Sequence, residues 1–162
     1  MVRSCERVAQ HQIASGRFFI IENPPSSRIW YSTPFQRLQQ NSGVTWDTLH
    51  MCSFGMRDPD GYFYFKATSL LHDMRPDVLA PVFRQCKGTS STHQHQYLIG
   101  SAPGHGSRAK LAQLYPYRFC QTLRLSGQLS WQNFPGAFRI VGGRPFGVPY
   151  SSGATGPCCH SG

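Results

Sequence analysis

Four large apolar residues, Phe18-Phe19-Ile20-Ile21, run straight into Glu22-Asn23-Pro24-Pro25. The run has the length of a strand, and adjacent Phe and Ile suit an extended segment buried on both faces. Two prolines cannot extend a ladder, because neither carries an N–H donor. Glu22 and Asn23 therefore mark the carboxyl end of a core strand, the edge at which open α/β sheets bind ligands. They are the candidate catalytic pair, with Ser26, Ser27 and Trp30 expected around them.

The remaining elements follow from local signals. Ser4–Ala14 reads as a short helix stopped by Ser15-Gly16. Thr33-Pro34 opens a second helix carrying Phe35 and Leu38 three apart, which Asn41-Ser42-Gly43 ends. Val44–Cys52 and Tyr62–Leu71 are strand candidates, and Asp58-Pro59-Asp60-Gly61 between them suits an antiparallel hairpin. Asp77–Cys86 reads as a helix with an inward stripe of Val78, Leu79, Val82 and Phe83. His93–Ile99 is a short extended piece, and helices are expected from Ser107 to Leu114 and over Tyr117–Leu125. From Ser126 onward Gly, Ser and Pro dominate and periodicity fades, so a disordered tail is predicted over residues 126–162.

A chain of 162 residues with 40% hydrophobic content supports one domain with a packed core. Its net charge of +9 favours acidic partners, nucleic acid among them, against the alternative of a solvated basic surface. The opening MVRSCERVAQHQ has no apolar core of a secretory signal, and no stretch reaches the ~18 apolar residues of a membrane span. An intracellular location without a membrane partner is expected, and the six cysteines are expected reduced.

Four residues have the chemistry of a tetrahedral zinc site: Cys86, His93, His95 and Cys120. His93 and His95 are two apart, so an extended backbone turns both to one face. Cys86 ends the preceding helix, and Cys120 lies on a later one able to pack back. The competing reading is a buried cysteine pair beside surface histidines, because no Cys-x-x-Cys or His-x(3–5)-His spacing occurs. The glycine-rich stretch Gly100–Arg108 lacks the Lys-Ser/Thr of a Walker loop and reads as an ordinary connection. No G-x-S-x-G elbow supports a serine nucleophile.

The strand followed by Asn-Pro-Pro resembles the catalytic loop of amino-methyltransferases, with Ser26 at the position usually aromatic there. FIIEN at Phe19–Asn23 resembles the Glu-Asn motif of cytosine-5 DNA methyltransferases, in which the Glu bonds a flipped base. Cys52-Ser-Phe54-Gly55 and Lys66-Ala-Thr68 resemble the later strands of that domain. The whole pattern, ENP, C-x-F-G-M, K-A-T, H-x-H, YP and Cys120, also resembles an uncharacterised domain of mobile-element (retrotransposon) polyproteins over roughly Phe18–Cys120. The resemblance implies a partial Rossmann-like, methyltransferase-like α/β sheet with flanking helices over residues 3–125. Neither a glycine-rich S-adenosylmethionine loop nor a Pro-Cys nucleophile loop is present, so no organic cofactor is expected. The implied activity is that of a truncated, catalytically inactive module, with Glu22 and Asn23 as vestigial site residues. The alternative is a small basic nucleic-acid-binding module, stabilised by zinc.

Overall fold

The computed structural model describes residues 2–132. The organising sheet has three strands: β1 (Ile20–Asn23), β2 (Thr45–His50) and, between them in space, β4 (Ala67–His72). Both pairings are antiparallel, with Glu22 opposite Leu70 and Leu49 opposite Thr68. Mixed helix and strand content is as the sequence predicts. A Rossmann-like sheet would be parallel, and the pairing seen here differs because the polar turn Asp58–Gly61 reverses the chain between β2 and β4.

Alternation along the strands divides the core in two. Ile21 and Leu71 point to the side covered by α1 (Val2–Ala14) and α2 (Thr33–Gln39), where Ala9, Phe19, Trp30, Phe35 and Leu38 are buried. Leu49 and Leu70 point to the other side, packed under Met74, Val78, Leu79, Val82 and Phe119. These come from the short α3 (Pro76–Leu79), the chain just before and after it, and α5 (Tyr117–Gln132). Glu6 on α1 accepts both nitrogens of the Arg37 fork, at 2.8 and 3.0 Å, which joins α1 to α2.

Several boundaries move from their predicted positions for identifiable reasons. β1 begins two residues late, because the Phe19 N–H is taken at 2.8 Å by the Asp73 carboxylate and not by a strand. Tyr62–Leu71 divides into β3 (Phe63–Tyr64) and β4, since β3 leaves the main sheet to pair in parallel with β5 (His95–Gln96). The helix expected over Asp77–Cys86 stops after one turn, with Pro81 close behind Leu79. The glycine-rich stretch forms the small hairpin of β6 (Ser101–Ala102) and β7 (Gly106–Ser107), leading into α4 (Arg108–Leu111). α5 continues through the boundary placed at residue 125, and Ser126 is buried within it. The tail predicted over residues 126–162 thus begins inside a helix, and beyond Gln132 it lies outside the described residues. No helix among the described residues is long and apolar enough to cross a membrane.

Residues 84–101 contribute no buried side chain to either core. What holds this stretch is the half-buried Leu98, the pairing with β3 and polar contacts to the end of β2, and it is where the candidate site forms.

Candidate metal centre

Cys52 closes the site from the sheet side. β2 ends at His50, and a single 3-10 turn, Met51–Phe54, follows. Gly55 terminates that turn in the left-handed region (φ 86°), and its N–H reaches the Cys52 carbonyl at 3.0 Å. Cys52 is thereby fixed beneath the surface at 1% exposure.

Cys86 is delivered by the chain leaving Val82. Its N–H donates to His50 Nδ1 at 2.9 Å, while the His50 N–H donates to the Arg84 carbonyl at 2.9 Å. This reciprocal pair locks the Cys86 backbone against the end of β2. His50 acts as an acceptor at Nδ1, so its ring is neutral there. Burial, and then the neighbouring His95, hold its pKa below the usual value. Gly88, at φ 102°, lets its N–H turn back to Cys86 Sγ at 3.3 Å, which fixes the direction of the sulfur.

His93 and His95 arrive on the extended segment beside β3, and both rings face the same way, as their spacing predicts. His93 stacks on Phe63 with centroids 3.9 Å apart, and the Arg57 guanidinium lies 4.0 Å from the same ring. The His95 Nδ1 lies 3.2 Å from Thr89 Oγ1. If the Nδ1–H donates to that hydroxyl, the Nε2 lone pair is left facing inward, which is the tautomer a metal needs.

Cys86 Sγ lies 3.4 Å from His93 Nε2 and 3.4 Å from His95 Nε2, and the two Nε2 atoms are 3.0 Å apart. With the Cys52 sulfur, all four ligand atoms fall within 4.8 Å of one another. Zinc bonded at about 2.3 Å to sulfur and about 2.05 Å to nitrogen would set tetrahedron edges of about 3.5 Å for S–N and about 3.3 Å for N–N. The three edges among Cys86, His93 and His95 agree to within a few tenths of an ångström, and the Cys52 sulfur completes the group within 4.8 Å, so the four residues could hold a metal ion. Burial, with the Cys86 thiol beside it, pushes the Cys52 thiol up to about 11. A divalent cation supplies the charge that such a site lacks and converts the thiol to thiolate.

The ligand set corrects the sequence prediction at one position. Cys86, His93 and His95 converge as expected, but Cys52 takes the place given to Cys120. Cys120 is exposed on α5, because its neighbour Phe119 occupies the buried face and one residue turns a helix by about 100°. Cys52 could not be paired with Cys86 from spacing, since a strand pair and a helical turn separate them. The one signal for it was its place after a strand and before a glycine stop.

Glu22 and Asn23 close β1, opposite Leu70 and Ser69. As strand neighbours they leave the sheet on opposite faces. The Glu22 carboxylate faces the Tyr115 hydroxyl, whose pKa is raised by burial and then by that carboxylate. Lys66 stands beside them, its amine donating to the Ala112 carbonyl at 2.9 Å with the Tyr115 ring 4.8 Å away. The Pro24 carbonyl accepts the Trp30 indole N–H at 2.8 Å, and Ser27 Oγ accepts the Ile29 N–H. Pro24, Ser27 and Trp30 are therefore engaged in building the fold.

Compared with known families, curated proteins and solved structures, the chain finds no match.

Proposed function

We propose that this chain is a small basic nucleic-acid-binding module whose Cys52–Cys86–His93–His95 centre holds a structural zinc ion. The convergence of two sulfurs and two Nε2 atoms carries the reading. Two thiolates and two imidazoles favour zinc over the harder cations. Four protein ligands leave no open position for substrate, which argues for a structural ion and not a catalytic one. The charge of +9 supports an anionic polymer as partner.

The experiment is metal analysis of the purified protein followed by oligonucleotide titration. One zinc per chain is expected, together with affinity that falls steeply as salt is raised. A metal-free protein that remains fully folded would refute the first part, and the absence of oligonucleotide binding at low salt would refute the second.

The methyltransferase-like reading, an inactive remnant with Glu22 and Asn23 as its vestige, rests on the ENPP and FIIEN motifs with the Cys52–Gly55 and Lys66–Thr68 segments behind them. Opposed side chains at Glu22 and Asn23 and an engaged Pro24 carbonyl weigh against a shared ligand cleft. Calorimetric titration with S-adenosylmethionine is its test, and no binding is expected.

A further inference from the structure

Two surfaces border the metal centre, and their chemistry is complementary. On one side Cys52, Cys86 and His93 form part of the wall of an open cleft of about 650 Å³. Three cations line the same cleft, Arg57, Lys87 and Arg118, and among the described residues no Asp or Glu does. All three are exposed, and no ion pair is found for them among the described residues. They come from three separate parts of the chain, brought together by the cluster and by α5.

On the other side of the centre lies an aromatic pair. Extending the β3–β5 register by one step sets Phe65 beside Tyr97, with ring centroids 6.3 Å apart. Phe65 also leans on His95, at 5.0 Å, and on His50, at 5.4 Å. Yet Phe65 is 40% exposed and Tyr97 is 64% exposed. Rings left open beside a metal ligand have faces available for stacking.

We propose that these two surfaces together bind single-stranded nucleic acid passing over the centre, with phosphates in the Arg57–Lys87–Arg118 cleft and bases stacked on Phe65 and Tyr97. The inference rests on the nucleic-acid reading above and adds strandedness and a location to it. A basic cleft tracks the backbone of any polynucleotide, but exposed aromatic rings add affinity only where bases are unpaired. The metal ion then has a mechanical role, since it fixes His95, and with it Phe65, relative to the cleft wall made by Cys86 and His93.

The test is fluorescence anisotropy of the zinc-loaded full chain with a labelled short oligothymidylate and with the same strand annealed to its complement. Salt is varied between about 50 and 200 mM, and the zinc content of every variant is measured first. The single strand is expected to bind at least tenfold more tightly than the duplex. Tyr97→Ala is expected to weaken single-strand binding by about 5- to 150-fold with the salt slope unchanged. Lys87→Ala and Arg118→Ala are each expected to reduce the slope by about 0.7. Equal or tighter duplex binding overturns the proposal. So does binding that Tyr97→Ala and the two cation variants all leave unchanged, which would keep nucleic-acid binding but move it elsewhere. Failure to bind either probe at the lowest salt overturns the underlying reading as well.

Discussion

Replacing Cys52 by alanine separates the metal set found in the structure from the one that linear spacing suggests. Cys52 is buried to 1% exposure at the start of the chain's excursion away from the sheet, and Cys120 is exposed on α5. Without metal, Cys52→Ala removes one buried sulfur, a loss of about 1 kcal/mol. With free zinc at about 100 times its dissociation constant, the ion contributes about 2.7 kcal/mol of further stability. That increment disappears once the three remaining ligands bind more weakly than the free zinc concentration. The full difference of about 3.7 kcal/mol corresponds to roughly 7–15 °C in Tm for a chain of this size. Cys120→Ala touches neither core nor metal and is expected to stay within about 0.5 kcal/mol of the parent. The assay is thermal unfolding of both variants with and without chelator, alongside zinc stoichiometry. In chelator, the Cys52→Ala difference should shrink to the burial cost alone. The ligand assignment fails if Cys52→Ala keeps one zinc and its chelator-sensitive stability, or if Cys120→Ala loses them.

Other perturbations give smaller or differently signed effects. Thr89→Val removes the hydroxyl beside His95 Nδ1 and should weaken zinc binding about 10- to 100-fold with four ligands still present, measured by competition with a chelating dye. Trp30→Ala should cost about 3–5 kcal/mol in urea unfolding, because the ring is 1% exposed between Phe35 and Trp46. Trp30→Phe should retain most of that and lose mainly the indole bond to the Pro24 carbonyl, about 1 kcal/mol. Burial lowers the His72 pKa, against the raising influence of Asp47 and Asp73. The unfolded chain then binds the proton more readily than the folded one, so stability should fall as pH drops below about 6.5. A pH series of unfolding curves checks this, and His72→Gln should flatten the dependence in that window.

What could be read from the sequence was whatever neighbouring residues decide. The Pro24-Pro25 stop, the Thr33-Pro34 helix start and the shared face of His93 and His95 all follow from local backbone chemistry. Pairing partners did not follow. Nothing near Lys66 signals that β3 leaves the sheet to meet β5, and strand order β1-β4-β2 depends on contacts far apart in the chain. The fourth ligand was lost for the same reason. A helix can return Cys120 to the site, but the rotation that buries Phe119 points Cys120 to solvent. For Glu22 and Asn23, the motif is legible, but alternation across the strand sends the two side chains to opposite faces.

The stretch from Arg84 to Ser101, which adds no fully buried side chain and only the half-buried Leu98 to the cores, gives the molecule two separable levels of stability. The sheet and its helices are secured by oily packing, which is indifferent to chelators. The outer loop is secured by a two-residue ladder, the His50 lock and the four converging ligands. Depriving the protein of its ion would thus unlatch the loop while leaving the body intact. Amide exchange and protease nicking should then start between Lys87 and Gly100, long before global melting.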